Sequence, residues 1–245
     1  MSASAYTRFE LLRTFRNRRF LLFSLGFPLV LYVFIALPNR NDHDFGGTGI
    51  YLPLYYMVGL ASFGTMMAMV SSGARIANER QTGWTRQLRI TPLSTRAYFR
   101  AKVITAYAMA ATTIALLFAA GLAIGVRMPA GRWLEMTGLL LVGLLPFAAL
   151  GVLLGHLLTV DSLGPATGGI VSLLALVSGT WFPVDDHGFV HDIAQALPSY
   201  WLTQASHVSL GGDGWSSTGW LVVAAWTVVL VRLARIAYRR DTQRV

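Results

Sequence analysis

The densest set of groups able to do chemistry is the stretch DDHGFVHD, where His187 and His191 stand four residues apart among Asp185, Asp186 and Asp192. On one helix face the two imidazoles could hold zinc. However, the glutamate that a zinc-protease helix carries between its histidines is missing, and Gly188 follows the first histidine. A solvated outer loop facing lipid headgroups is the preferred account, so neither a metal nor a catalytic role is assigned. Ser172, Ser178 and Thr180 have no nearby buried base, which argues against an intramembrane serine protease. The chain has no cysteine, and its one lysine, Lys102, follows Ala101 rather than the glycine of a phosphate-binding loop. No cofactor is expected in this chain. If ATP is used, a partner must hold it, with its magnesium.

The elements that position these residues are built for lipid. Hydrophobic residues make up 54% of the 245 and charged ones 13%, against about 25% charged in soluble domains, and the mean hydropathy is +0.53. A hydrocarbon core of about 30 Å needs about 20 apolar residues as helix. Six runs qualify, at 20–37, 51–73, 103–126, 133–158, 163–183 and 219–237. The first is no cleavable signal, since five arginines precede it and no small-residue cleavage site follows. No Asp, Glu, Lys or His lies at central depth in any run, which removes the usual parts of a proton-coupled transporter. The formal charge of +9 is segregated, with 17 of the 20 basic residues in the N-terminal segment, the second-to-third connection and the tail. That bias places both termini in the cytoplasm of a multi-pass protein of the bacterial plasma membrane, and gives no reason to expect nucleic acid.

Before the first run, Tyr6, Phe9, Leu12 and Phe15 recur every three residues, a pattern expected of an interfacial helix over 1–19. Pro28 should kink the first span. Glycines four apart, Gly121 with Gly125, Gly151 with Gly155 and Gly164 with Gly168, predict close helix approach, read as packing within the bundle in preference to a dimer seam. In the outer connection 184–215, Val190, Ile193, Ala194 and Leu197 have helical spacing. Pro198 should end that helix, and Tyr200, Trp201 and Leu202 open a second apolar patch. A re-entrant hairpin dipping into the outer leaflet is expected, with a surface helix as its alternative.

Between the second and third runs lies NERQTGWTRQLRITPLS. Arg75 and Glu79 form an i, i+4 pair, and Arg80, Trp84 and Leu88 share one face of a short cytosolic helix over 74–94. Ser94 is a suitable N-cap for the next helix, with Leu93 and Tyr98 as its hydrophobic staple. This stretch resembles the signature of the type-2 ABC exporter permeases, which runs Glu-Arg/Lys-x-x-Gly-x-x-x-x-Leu-Arg-x-Thr-Pro-Leu-Ser. Glu79, Arg80, Gly83, Leu88, Arg89, Thr91, Pro92, Leu93 and Ser94 match it in order. The basic N-terminal helix, the six spans and the outer region around SGTWFP and ALPSYWLT fit the same plan. Residues 184–190 depart from it, reading VDDHGFV where the family commonly has a Pro-hydrophobic segment.

The resemblance implies an all-α integral membrane protein. It would have six transmembrane helices, an N-terminal interfacial helix, a cytosolic coupling helix between spans 2 and 3, and an outer re-entrant hairpin between spans 5 and 6. The whole chain would be one transmembrane domain, with interfacial helix 1–19, spans 20–73, coupling helix 74–94, spans 95–183, outer hairpin 184–215, and last span with basic tail 216–245. The implied function is that of a permease subunit exporting a hydrophobic or amphiphilic substrate, such as a drug, antibiotic or lipid-like molecule. It would work with a second permease, identical or related, and two copies of an ABC ATPase subunit. Glu79, Arg80, Gly83, Trp84, Arg86, Leu88 and Arg89 would couple to the ATPase, with Trp84 or Leu88 as anchor. Trp181, Phe182, Pro183, Leu197, Pro198, Tyr200 and Trp201 would form the outer gate. The alternatives are export of polysaccharide or glycolipid, a membrane enzyme using the outer Asp and His residues, and a scaffold that needs no ATPase.

Overall fold

A computed structural model describes residues 3–47, 49–84, 87, 93–184, 187–205, 208 and 214–243. Most of those residues are helical, with no strand among them. The elements are α1 (Ala3–Phe15), α2 (Arg18–Leu21), a π-helical turn (Leu22–Gly26), α3 (Phe27–Ala36), α4 (Leu52–Gln81), α5 (Thr95–Ile124) and α6 (Ala130–Gly143). They continue with α7 (Leu145–Leu157), α8 (Val160–Val177), α9 (Phe189–Gln195), α10 (Pro198–Gln204) and α11 (Ser217–Gln243).

Five helical stretches are long and apolar enough to cross a membrane: Leu52–Gln81, Thr95–Ile124, Ala130–Leu157, Val160–Val177 and Ser217–Asp241. The expected first span is instead interrupted. Its regular apolar part is Ser24–Ala36, and the π-helical turn falls just before Pro28, which sits in the first turn of α3. The fourth span bends at Leu144, because Pro146 has no N–H to offer the preceding turn. The fifth lies earlier than 163–183. Thr159 and Ser162 form a capping box that starts it at Val160, and Gly179, at φ 75°, turns the chain after Val177.

α4 is the central helix. Of its most apolar stretch 89% is buried, against 22% for α8 and for α11, and α7, α5, α8, α3 and α10 all pack on it. Met57, Leu60, Met66 and Met69 are fully buried along it. Where it meets α7 the main chains nearly touch: a Cβ on Gly73 would run into the carbonyl of Gly151 and the amide of Gly155. Packing within the bundle therefore accounts for Gly151 and Gly155, and Gly121 lies against Met57. It does not account for Gly164 and Gly168, which have open space where a side chain would be.

Ser94 caps α5 as expected, its hydroxyl accepting from the Ala97 amide at 3.2 Å, and the helix then runs unbroken to Ile124. In α1 the expected stripe is divided. Tyr6 is buried with Glu10 and Thr14, while Phe9, Leu12 and Phe15 are exposed. Steps of three residues fall back about 60° each on a helix, so Tyr6 and Phe15 end on opposite sides.

Candidate functional site

Helix α4 ends and α5 begins at the arginine-rich end of the bundle, beside two knots of charge. Lys102, in the second turn of α5, is 1% exposed. Its Nζ lies 2.9 Å from Glu10 Oε2 on α1 and 2.5 Å from Glu79 Oε1 on α4. Both carboxylates are equally buried. Tyr98 donates to Glu79 Oε2 at 2.6 Å, Arg13 approaches Glu79 Oε1 at 3.4 Å, and Arg75 donates to the Thr14 hydroxyl. The ammonium also lies 5.2 Å and 6.0 Å from the ring centres of Tyr98 and Tyr6. Taking an ion out of water costs several kcal/mol, and here two carboxylates and two aromatic faces offset it. Burial, reinforced by Glu79 and Glu10, pushes the Tyr6 phenol above its usual range, so it stays neutral.

The second knot joins α4, α7 and α11. Arg80 Nε and Nη2 each lie 2.7 Å from an oxygen of Asp241, a fork-to-fork pairing. Its Nη1 donates to the Gly155 carbonyl at 3.0 Å, one of the carbonyls a helix end leaves unpaired. His156 Nδ1 lies 3.1 Å from Asp241 Oδ2. The rings of Phe99, His156 and Tyr238 close the space between α5, α7 and α11.

The expected coupling residues thus divide. Helix α4 runs past the expected boundary at residue 73 to Gln81, so Glu79 and Arg80 belong to its end, and their side chains are engaged inside the fold. Gly83 has φ 71°, which breaks the helix between Arg80 and Trp84. Those two therefore do not share one continuous helix face, as their spacing predicts. Trp84 is half-buried. Arg86, Leu88 and Arg89 lie outside the described residues, as do Thr91 and Pro92.

At the far end, residues 178–181 are fastened on two sides. Tyr55 donates to the Gly179 carbonyl, and Tyr56 donates to the Trp181 carbonyl at 3.0 Å. Ser178 bonds to Ser199, and Thr180 lies 3.4 Å from Thr203 on α10. A Cβ on Gly59 would meet the Thr180 carbonyl at 2.8 Å, so α4 and this segment touch along their backbones. Trp181 packs on Phe63 at 5.6 Å, Phe182 is exposed, and Pro183 lies against Gly46.

The outer pattern forms two short helices, α9 and α10, and Pro198 begins the second as well as ending the first. Leu197 is half-buried and Pro198 buried. Tyr200 and Trp201 are each 6% exposed, packed at right angles, and Trp201 covers Gly219 of α11. These rings therefore face protein. Trp201 Nε1 donates to Gln195 O at 3.0 Å, and Trp226 Nε1 to Ala196 O at 2.8 Å. His187 precedes the start of α9, so it does not share a helix face with His191, which bonds instead to Gln195 at 2.6 Å. Asp185 and Asp186 lie outside the described residues.

The sequence reading missed Lys102, Glu10, Asp241, Tyr55 and Tyr56. A signal existed for the first three: Glu10, Glu79 and Asp241 are isolated acids in arginine-rich segments, and Lys102 is the lone lysine beside 19 arginines. Nothing in the spacing pointed to the two tyrosines.

With this geometry in hand, comparison with known proteins gives two matches. A profile of the family described as "ABC-2 family transporter protein" matches residues 40–236. The chain is also 28% identical over 237 residues to a Bacillus subtilis (strain 168) protein named "Putative transport permease YvfS", with 95% of each chain covered.

Proposed function

The chain belongs to the ABC-2 transporter family, and on that premise we propose that it is the permease half of an ATP-driven exporter. Membership makes it a membrane transport subunit whose engine is an ABC ATPase. Beyond membership, the reading has two permeases, identical or related, and two ATPase subunits in a bacterial plasma membrane, with both termini cytoplasmic. Residues 18–36, at about 1.5 Å each, reach about 28 Å and serve as the first of six spans. The substrate is hydrophobic or amphiphilic, because no Asp, Glu, Lys or His lies at central depth in the spans. No catalytic group or cofactor of this chain takes part, and ATP and magnesium belong to the partner.

The observation that supports this best is the placing of 82–94. It joins the ends of α4 and α5, two 30-residue helices, beside the knots that bind those ends to α1, α7 and α11. A push there moves five helices rather than one loop. Moving a two-state permease from 1:99 to 99:1 takes about 5.5 kcal/mol of differential interaction, more than exposed ion pairs of about 0.2–1 kcal/mol each supply readily. Burial of Trp84 against the ATPase supplies the remaining grip. Glu79 and Arg80 act inside the permease, holding the segment's roots, while Gly83, Trp84, Arg86, Leu88 and Arg89 face the partner.

Trp84→Ala is expected to weaken ATPase binding by about 2 kcal/mol, roughly thirtyfold, with the permease itself still folded. Copurification with the ATPase and substrate-stimulated ATP turnover measure it, and unchanged values for both would sink the anchor role.

At the far end, the fastened 178–181 segment, with Trp181, Phe182, Pro183, Leu197, Pro198, Tyr200 and Trp201, is the closed outer gate. Opening must break the two tyrosine bonds. Tyr55→Phe with Tyr56→Phe is therefore expected to lower the thermal midpoint by removing about 1–3 kcal/mol, and to raise ATP-independent leakage of a dye from vesicles. A double variant as tight and as stable as the parent would show that these bonds do not hold the gate.

A further inference from the structure

We infer that exposed arginines of α5 and α11 form a binding surface for an anionic phospholipid of the leaflet at the basic end. On α11 the buried positions are Val223, Leu230, Ala234 and Ala237, the last three facing Ala149 and Leu153 of α7. At about 100° per residue, Arg232, Arg235 and Arg239 fall together on the opposite face. On α5, Tyr98 faces α1, while Thr95 and Phe99 face Tyr238 of α11 at 3.3 Å and 5.1 Å. Arg96 and Arg100, four apart, lie beyond that contact on the side away from α1. Two basic helix faces therefore flank the Phe99–Tyr238 contact. Arg96, Arg100, Arg232 and Arg235 are exposed, and among the described residues none of the four is paired with a carboxylate.

Depth selects the occupant. Trp215 and Trp220 pack together at the far end of α11, at 5.2 Å, as aromatic rings do at a membrane interface. From Trp220 the helix descends about 18 Å to Arg232 and about 28 Å to Arg239, against a hydrocarbon core of about 30 Å. Above the arginines the same face is apolar, with Leu221 70% and Val228 49% exposed. A phospholipid matches this order: its acyl chain lies along Leu221 and Val228, and its phosphate meets guanidiniums reaching down from Arg232 and Arg235. A water-soluble ATPase does not reach Arg232 at that depth. A second permease would bring like charge against like charge in an apolar medium.

The test uses the full chain without its ATPase, so its outcome is separate from that of the transport reading. The permease is placed in phosphatidylcholine vesicles containing spin-labelled phosphatidylglycerol or spin-labelled phosphatidylcholine, and the motionally restricted fraction of each is measured. The wild type should restrict the anionic label at least about fivefold more strongly at low salt, and the preference should fall in high salt. Arg96→Gln, Arg100→Gln, Arg232→Gln and Arg235→Gln combined should bring it close to one, while the matching four lysine substitutions should keep it. If the four-fold glutamine variant fails to fold, Arg232→Gln with Arg235→Gln should lower the preference by about half or more. A folded glutamine variant with the wild-type preference overturns the proposal. If that same variant, in a separate pull-down, also no longer binds the ATPase, the surface belongs to the protein partner.

Discussion

Lys102→Met is expected to cost the permease about 3–5 kcal/mol, the usual cost of removing one partner from a buried ion pair. The loss is large because Glu10 and Glu79 would be left facing each other with their ammonium gone. Arg13 is 3.4 Å from Glu79 but half in solvent, at 42% exposure, and compensates weakly. The thermal midpoint of the purified chain in detergent, and its abundance in the membrane, should both drop. Glu10→Gln and Glu79→Gln added to Lys102→Met should recover part of the midpoint, since the two buried carboxylates no longer repel each other, while Arg13 and the buried Arg75 then lose the acids beside them. Transport should stay low in the triple variant, because α1 would no longer be held by charge to the ends of α4 and α5, the roots of the proposed coupling segment. A single Lys102→Met with the parent's midpoint would show that the three groups do not form a buried network.

Gly73→Ala and Gly168→Ala should move stability in opposite directions. At Gly73 the added methyl meets main chain, the Gly151 carbonyl and the Gly155 amide, and neither can swing aside as a flexible side chain would. Overpacking of this kind costs about 1–3 kcal/mol, and α4 and α7 must part along their closest contact. At Gly168 the methyl enters open space, and alanine is the better helix former by about 0.8–1 kcal/mol. Unfolding midpoints and the monodisperse fraction on gel filtration would separate the two variants. Equal values would mean that α4 and α7 do not touch at Gly73.

How much could be read from the sequence depended on how local the causes were. Five of the six greasy runs, the Ser94 cap and the continuous helix after it follow from neighbours a few residues apart, and they stand as helices, the fifth with shifted bounds. Pro28 marked the first span as irregular in advance, and the π-helical turn falls just before it, whereas the early start of α8 depends on the Thr159–Ser162 box, whose effect on a boundary a hydropathy window averages away. The charge knots were hidden for another reason. Lys102 and Glu10 are 92 residues apart, and helix-face reasoning paired Glu79 with Arg75 on its own helix, whereas the fold gives it Lys102 of α5 and Tyr98. Tyr6 was grouped with Phe9, Leu12 and Phe15 because a three-residue step looks like one stripe over two turns, although it has crossed the helix by the third.

On the α4 side, the fastening of residues 178–181 addresses main chain. Tyr55 and Tyr56 hold carbonyl oxygens, which every residue type presents alike. That half of the lock is therefore indifferent to the side chains at 181–183, provided Gly179 keeps its turn and Ser178 and Thr180 keep their hydroxyl contacts to Ser199 and Thr203. Replacing Trp181, Phe182 or Pro183, or grafting that stretch from a relative with the same backbone course, should leave the tyrosine grip in place while changing the surface the segment presents. In the proposed gate, closure and selectivity would thus be separable properties, open to being altered one at a time.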